Sequence, residues 1–153
     1  LAAKSKNPNI RIFGVTMENG AAMHMSIKAG KPVDVSEDPS LADALGGGIG
    51  LDNKFTFALC KSLLDGTFIV SEKEIYHAMQ TLYYEDRLIA EGSCVVGIAA
   101  ILARKLPSLK GPVATVITGR NVNMSMFTKV INGDDISLGS QIVKGNNYQR
   151  NNL

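Results

Sequence analysis

The stretch that most constrains the fold is the apolar run 113–117, Val-Ala-Thr-Val-Ile. It is short, rich in β-branched residues and bounded by Gly111-Pro112, which is typical of a strand buried on both faces. Because ligands of open α/β sheets gather at the carboxyl ends of strands, we expect the next two residues, Thr118 and Gly119, to face a crevice. The alternative is an ordinary turn from a strand into a loop.

Composition indicates one globular domain. Of the 153 residues, 45% are hydrophobic and 20% are charged, and the net charge is only +2. This balance argues against nucleic acid or an anionic membrane as a partner. No apolar run approaches the roughly 18 residues that span a bilayer, and the start lacks a signal-peptide pattern, so we expect a cytoplasmic protein.

Cysteine and histidine residues are few. Cys60 and Cys94 each lie in an apolar helical pattern without a CxxC partner, which favours buried free thiols over a disulfide. His24 and His77 have no metal-ligand spacing to each other or to the cysteines. No metal site is therefore predicted.

Strands and helices are predicted to alternate. In chain order, apolar spacing predicts the end of a helix at 1–6, a strand at 10–15, and helices at 20–29 and 54–64, then a strand at 67–70, a helix from 72, helix 92–103, strand 112–117 and helix 124–131. Such alternation predicts an α/β fold, with a mostly parallel sheet between two helical layers.

The clearest helix start is the capping box formed by Ser71 and Glu74, in which side chain and backbone satisfy each other reciprocally. Gly66 is predicted to end the helix before it in the left-handed conformation. Helix 92–103 is apolar nearly all round and is predicted to be central and buried. From residue 132 onward, and above all after Gly139, apolar residues become sparse, so residues 132–153 are predicted to form a polar, disordered tail.

Two further features each have a functional and a structural explanation. The glycines at 46–50 suit either a phosphate-binding loop or a flexible turn, and their spacing fits neither GxGxxG nor GxxxxGK[ST], which favours the turn. Glu91 at the mouth of helix 92–103 is either a functional carboxylate or one stabilised by the helix N-terminus.

Taken in order, several stretches resemble the carboxyl-terminal half of pyridoxal-phosphate enzymes related to threonine dehydratase and serine racemase, which have the tryptophan-synthase-β type of fold (fold type II). The matching stretches are IRIFGV (10–15), SLAD (40–43), GIGL (48–51), VSEKEI (70–75), AEGS (90–93) with GIAA (97–100), and ITGRNV (117–122). The hydroxyectoine-utilisation dehydratases are similar in addition at MENGAAMH (17–24), LGGGIGLDN (45–53) and GRNV (119–122).

The resemblance implies that residues 1–131 are the carboxyl-terminal part of the large, cofactor-binding domain. It places the hydroxyl of Thr118 on the pyridine nitrogen of pyridoxal phosphate, with Gly119 next to it. It places the Glu91 carboxylate beside the cofactor ring and the backbone of Ala44 near that ring. The activity it implies is β-elimination from a hydroxy amino acid such as threonine, serine or a hydroxyectoine-derived compound, giving a keto acid and ammonia.

The chain also departs from the family pattern. The lysine that attaches the cofactor and the tetraglycine phosphate loop both precede the matched region, so no catalytic residue is assigned here and the chain alone is expected to be inactive. Thr16 and Ala22 replace the carboxylates that bind a divalent cation in serine-racemase-like members. Arg120 replaces a common second glycine and either reaches a substrate carboxylate or points outward.

The partners implied are an amino-acid substrate, the amino-terminal remainder of the same enzyme and further copies of it in a homo-oligomer. A hypothesis of another class is a non-catalytic α/β domain that binds a partner protein through an open sheet edge. A third is a nucleotide-binding domain that uses the glycines at 46–50.

Overall fold

The structure is a computed structural model and describes residues 1–149. Its elements are, in order, α1 (Ala2–Lys6), β1 (Phe13–Met17), α2 (Ala22–Ala29), a first 3₁₀ turn (Asp43–Leu45), α3 (Thr56–Leu63), β2 (Gly66–Val70), α4 (Glu72–Asp86), a second 3₁₀ turn (Gly92–Cys94), α5 (Val96–Leu102), α6 (Met124–Asn132), β3 (Ile136–Leu138) and β4 (Gln141–Val143). None of the helices within residues 1–149 is long and apolar enough to cross a membrane.

The parallel pair β1 and β2 confirms the predicted α/β fold. The register runs from Phe13 opposite Gly66 to Met17 opposite Val70. The first strand begins three residues later than predicted. Ile12 instead bonds to Asp65, donating its amide hydrogen to the carboxylate at 2.7 Å and accepting from the Asp65 amide at 2.8 Å.

Helices cover both faces of this pair. On one face, Thr67 of β2 hydrogen-bonds His24 of α2 at 2.9 Å. On the other, Phe13 and Val15 line a cleft together with residues of α5. Because successive side chains of a strand point to opposite faces, α2 and α5 lie on opposite sides of the sheet, as the predicted layers require.

Helix α4 is the centre of the core. Its start confirms the predicted capping box: the Ser71 hydroxyl accepts from the Glu74 amide, and the Glu74 carboxylate accepts from the Ser71 amide. The helix packs against α5 and α6. Its buried residues are Glu72, Ile75, Tyr76, Ala78, Met79, Gln80 and Leu82.

Two helix predictions were wrong in detail. Gly66 does not end α3, because α3 closes in extended backbone at Leu64 and Gly66 opens β2. The helix predicted at 92–103 is divided into the second 3₁₀ turn and α5. Within α5, Ile101 is 38% exposed, because its side chain borders the cleft beside β1 and no described strand covers it.

The strand predicted at 112–117 does not form. This segment has no hydrogen-bonded strand partner among the described residues, and Val116 is 76% exposed. A strand requires a neighbour to satisfy its backbone groups, and β1 and β2 pair only with each other. The segment is held against α5, where Thr115 lies against Gly97, and a cleft of about 580 Å³ separates it from β1.

The prediction of a disordered tail also fails for its described part. β3 and β4 form an antiparallel hairpin in which Ile136, Leu138 and Val143 are buried in the core. Apolar residues alternate with polar ones along β3, so the apolar side chains share one face and can be buried although residues 132–149 are mostly polar. Gln80 of α4 ties down the following segment by donating to the Asn146 carbonyl at 2.8 Å. Residues 150–153 of the predicted tail lie outside the described residues.

Candidate functional site

Glu91 and Gly119 are joined directly by the backbone. The Glu91 amide donates to the Gly119 carbonyl at 3.3 Å, and the thiol of Cys94 reaches the carbonyls of both residues, at 3.2 Å and 3.1 Å. Hydrogen bonds thus connect the segments around Glu91 and Gly119, which are 28 positions apart in the sequence. The second 3₁₀ turn provides the geometry, because it folds Cys94 back over the Glu91 carbonyl.

The Glu91 carboxylate lies flat against Gly119. A Cβ atom built on Gly119 would fall 2.7 Å from Glu91 Cδ and closer still to Oε1, so no larger residue fits while the carboxylate keeps this position. Within residues 1–149, no hydrogen bond or ion pair involves the Glu91 carboxylate. A partly buried carboxylate without a partner is costly, and it is therefore available to a ligand.

The turn that carries Ala44 reaches the same place. The first 3₁₀ turn contacts the second, and the preceding residue Leu41 lies against Gly92, where an added Cβ would be 2.6 Å from the Leu41 carbonyl carbon. Such close backbone packing requires glycine. The structure thus brings the four sequence-predicted residues to one region: Ala44, Glu91, Thr118 and Gly119.

Three groups at this region fit a bound cofactor. Thr118 is exposed, and no hydrogen bond of its hydroxyl occurs in the described part of the chain. The Ser93 hydroxyl is buried and also lacks a hydrogen-bond partner within residues 1–149. Together with the Glu91 carboxylate, they provide unsatisfied polar atoms beside a glycine backbone, which is what a polar aromatic ligand requires. The roles assigned to Ala44, Glu91, Thr118 and Gly119 stay predictions.

The glycines at 46–50 do not present a free anion site. The Gly47 amide donates to the carboxylate of Glu37 at 2.7 Å, so a negative charge already occupies the position that a phosphate would take. Arg120 is exposed, and no hydrogen bond of its guanidinium occurs within residues 1–149.

Lysine amino groups are engaged away from this region. Those that form hydrogen bonds in the described residues belong to Lys4, Lys61, Lys105 and Lys144. None of these amino groups bonds to Glu91 or Thr118; their partners are Asp65, the Gly30 carbonyl, Glu74 with the Ile69 carbonyl, and Asp135, respectively.

Sequence reasoning missed three residues that build this region: Glu72, Gly92 and Cys94. The capping-box pattern gives Glu72 no role of its own, yet Glu72 is 1% exposed. A signal was present, because positions 72, 75, 76 and 79 follow helical spacing along one face. Burial raises the pKa of the Glu72 carboxyl, while hydrogen bonds from Ser40 and Leu41 act in the opposite direction.

Comparison with known proteins identifies the family of the chain. The family described as "Pyridoxal-phosphate dependent enzyme" matches residues 1–119, and the chain belongs to this family, whose members use pyridoxal phosphate. A relative from Sinorhizobium fredii, provisionally named a threonine dehydratase, is 48% identical over 132 residues, which are 86% of this chain and 40% of the relative.

Two solved structures are similar in fold. The processed form of threonine deaminase isoform 2 from Solanum lycopersicum has a TM-score of 0.71 at 30% identity, covering 83% of this chain and 37% of that one. Maize serine racemase has a TM-score of 0.74 at 27% identity, covering 84% and 40%. The fold is that of fold-type II pyridoxal-phosphate enzymes, and the chain spans about two fifths of its relatives' length.

Proposed function

We propose that the complete enzyme containing this chain is a pyridoxal-phosphate-dependent ammonia-lyase. It removes the β-hydroxyl of a hydroxy amino acid, such as threonine, serine or a hydroxyectoine-derived compound, and yields a keto acid and ammonia. The observation that carries the proposal is the Glu91 carboxylate against Gly119, the residue that follows the exposed Thr118 in the chain. The names of the relatives support the same reaction class.

In this proposal, the Thr118 hydroxyl hydrogen-bonds the pyridine nitrogen and Glu91 lies beside the ring, near the backbone of Ala44. Pyridoxal phosphate, when bound, supplies the electron sink for the elimination. A neutral hydroxyl partner leaves the ring nitrogen largely unprotonated, which moderates that sink and suits β-elimination. The attaching lysine and the phosphate loop come from the rest of the enzyme.

The proposal extends to the setting of the enzyme. Cys60 and Cys94 are both free, and free thiols are typical of the reducing cytoplasm, where we place it. We further propose a homo-oligomer, since the exposed apolar side chains of this chain suit contact with other subunits and with the remainder of the polypeptide.

The test replaces Thr118 by Val in the complete enzyme. Loss of one neutral hydrogen bond costs about 0.5–1.5 kcal/mol in binding, but a misplaced ring should lower turnover more than it lowers stability. The matched control is Thr128→Val, which deletes a hydroxyl bonded to the Met124 carbonyl on the exposed side of α6. If Thr118→Val keeps turnover within about twofold with unchanged cofactor affinity, the role of Thr118 is wrong.

A second candidate is a non-catalytic domain that binds a partner protein through the sheet edge. It is favoured by the unpaired segment 112–117, where Val113 and Val116 are 52% and 76% exposed. Sequencing the coding region upstream separates the two candidates. A lysine in a Ser-x-Lys context followed by a glycine-run loop supports the enzyme, and their absence supports the binding domain.

A further inference from the structure

Glu72 carries a buried carboxylate whose two oxygens serve a different segment of the chain. It is the first residue of α4 and is 1% exposed. One oxygen accepts from the Ser40 hydroxyl at 2.5 Å, and the other accepts from the Leu41 amide at 2.8 Å. A carboxylate is costly to bury, so these two hydrogen bonds must hold it closely to offset that cost.

The segment held by Glu72 is buried and continues directly to the candidate site. The Ser40 hydroxyl also accepts from the Ala42 amide at 2.9 Å, so three consecutive residues are fixed to one carboxylate. The carbonyl of Leu41 then packs against Gly92, which follows Glu91 in the chain. The turn that carries Ala44 begins one residue after Ala42.

We propose that Glu72 is a positioning residue for the cofactor site. It holds residues 40–42 against Gly92, and thereby sets the distance between the turn that carries Ala44 and the Glu91–Gly119 pair. This inference rests on the proposed function, because it concerns the same site. Glu72 lies on α4 and acts only through residues 40–42, by its hydrogen bonds to the Ser40 hydroxyl and the Leu41 amide.

A purely structural role for Glu72, as one more group at the start of α4, predicts different behaviour. In that case, removing any side-chain hydrogen bond at the start of α4 would change the cofactor site to the same extent. Ser71→Ala is the matched control, because it removes the capping hydroxyl of the adjacent residue and leaves both hydrogen bonds of Glu72 intact. Glu72→Gln is the conservative variant, since its amide can still accept from Leu41 and donate to Ser40.

The experiment uses the complete enzyme and the variants Glu72→Ala, Glu72→Gln, Ser40→Ala and Ser71→Ala. Hydrogen exchange is measured without cofactor, and affinity is measured with pyridoxal phosphate itself. We expect Glu72→Ala to speed exchange in 41–46 and 92–95 about tenfold and to weaken pyridoxal-phosphate binding about fivefold. Glu72→Gln should restore most of both properties, and Ser71→Ala should leave both near wild type.

Each result has one meaning. If Glu72→Ala and Ser71→Ala change exchange in 41–46 and cofactor affinity equally, or if Glu72→Ala changes exchange alone, the positioning role is overturned. Should Glu72→Ala fail to fold, Ser40→Ala decides the same question, because it removes one hydroxyl and is expected to give a smaller change of the same kind. A wild-type enzyme that binds no pyridoxal phosphate overturns the proposed function instead, whereas the exchange data still test the contact.

Discussion

Replacing Gly92 by alanine is expected to destabilise the fold strongly. The added Cβ would lie 2.6 Å from the Leu41 carbonyl carbon and 3.1 Å from Ile75 Cγ2. Neither neighbour can move aside easily, because Leu41 is 2% exposed and Ile75 is fully buried. Ordinary contact would require the backbone at Leu41 to move by about 1 Å within a close-packed core.

The magnitude follows from two terms. Overpacking of a core costs about 1–3 kcal/mol, and moving Leu41 also breaks its hydrogen bond to Glu72, which costs about 1–3 kcal/mol when a buried group loses its partner. The free energy of unfolding should therefore fall by about 2–6 kcal/mol. Within this range, a loss of about 3 kcal/mol would lower the urea midpoint by roughly 1–3 M, for a slope of about 1–3 kcal/mol per M.

The assay is urea unfolding at one fixed protein concentration, so that any association affects all variants alike. Gly48→Ala is the matched control, because a Cβ at Gly48 meets no atom within 4 Å. Gly48→Ala should leave the free energy of unfolding unchanged or raise it by about 0.4–1 kcal/mol, because alanine reduces the conformational freedom of the unfolded chain. Equal midpoints for the two variants would refute the argument that Leu41 and Gly92 form a rigid contact.

The 153-residue chain by itself is expected to attach no pyridoxal phosphate and to show no dehydratase activity, because attachment needs an activated lysine, which the family resemblance places before the matched region. A visible absorbance band that disappears on mutation of one of its own lysines contradicts this. The isolated chain is also expected to self-associate, since Phe55 and Val116 are 78% and 76% exposed, and a compact monomer at every concentration in sedimentation, without binding of a hydrophobic dye, would show the reverse. Burial and the neighbouring Glu18 raise the pKa of Glu72 above its ordinary value of 4.5, so the stability that protonated Glu72 contributes is fully present below pH 4.5 and is lost as pH rises through the folded-state pKa. The stability of Glu72→Gln relative to wild type should therefore increase with pH across this window, and urea midpoints that keep a constant difference would contradict the sign.

Local sequence patterns predicted most of the elements. The capping box at Ser71 and Glu74 is formed by residues a few positions apart, so local capping signals are sufficient to predict it. The strand predicted at 112–117 failed for the opposite reason. Its apolar residues satisfy the pattern, but a strand exists only where a second strand accepts its hydrogen bonds.

The hairpin at 136–143 shows the same limit. Four of its eight residues are apolar, and it is ordered because three of them, Ile136, Leu138 and Val143, are buried in the core, where β3 packs against α6. Burial of this kind depends on which surface lies opposite, and no local window contains that surface.

The sequence by itself determined the fold class, the parallel relation of β1 and β2 and the family resemblance that singled out Ala44, Glu91, Thr118 and Gly119, because each depends on residue order and local spacing. Only the tertiary structure decided that Glu91 lies against Gly119, and that Glu72 reaches back 31 and 32 positions to Leu41 and Ser40. The physical reason is that a buried carboxylate is defined by its partners. A Glu at a solvated helix start would need no protein partner for its carboxylate. The residues around Glu72 do not specify which distant amide will donate a hydrogen bond to it.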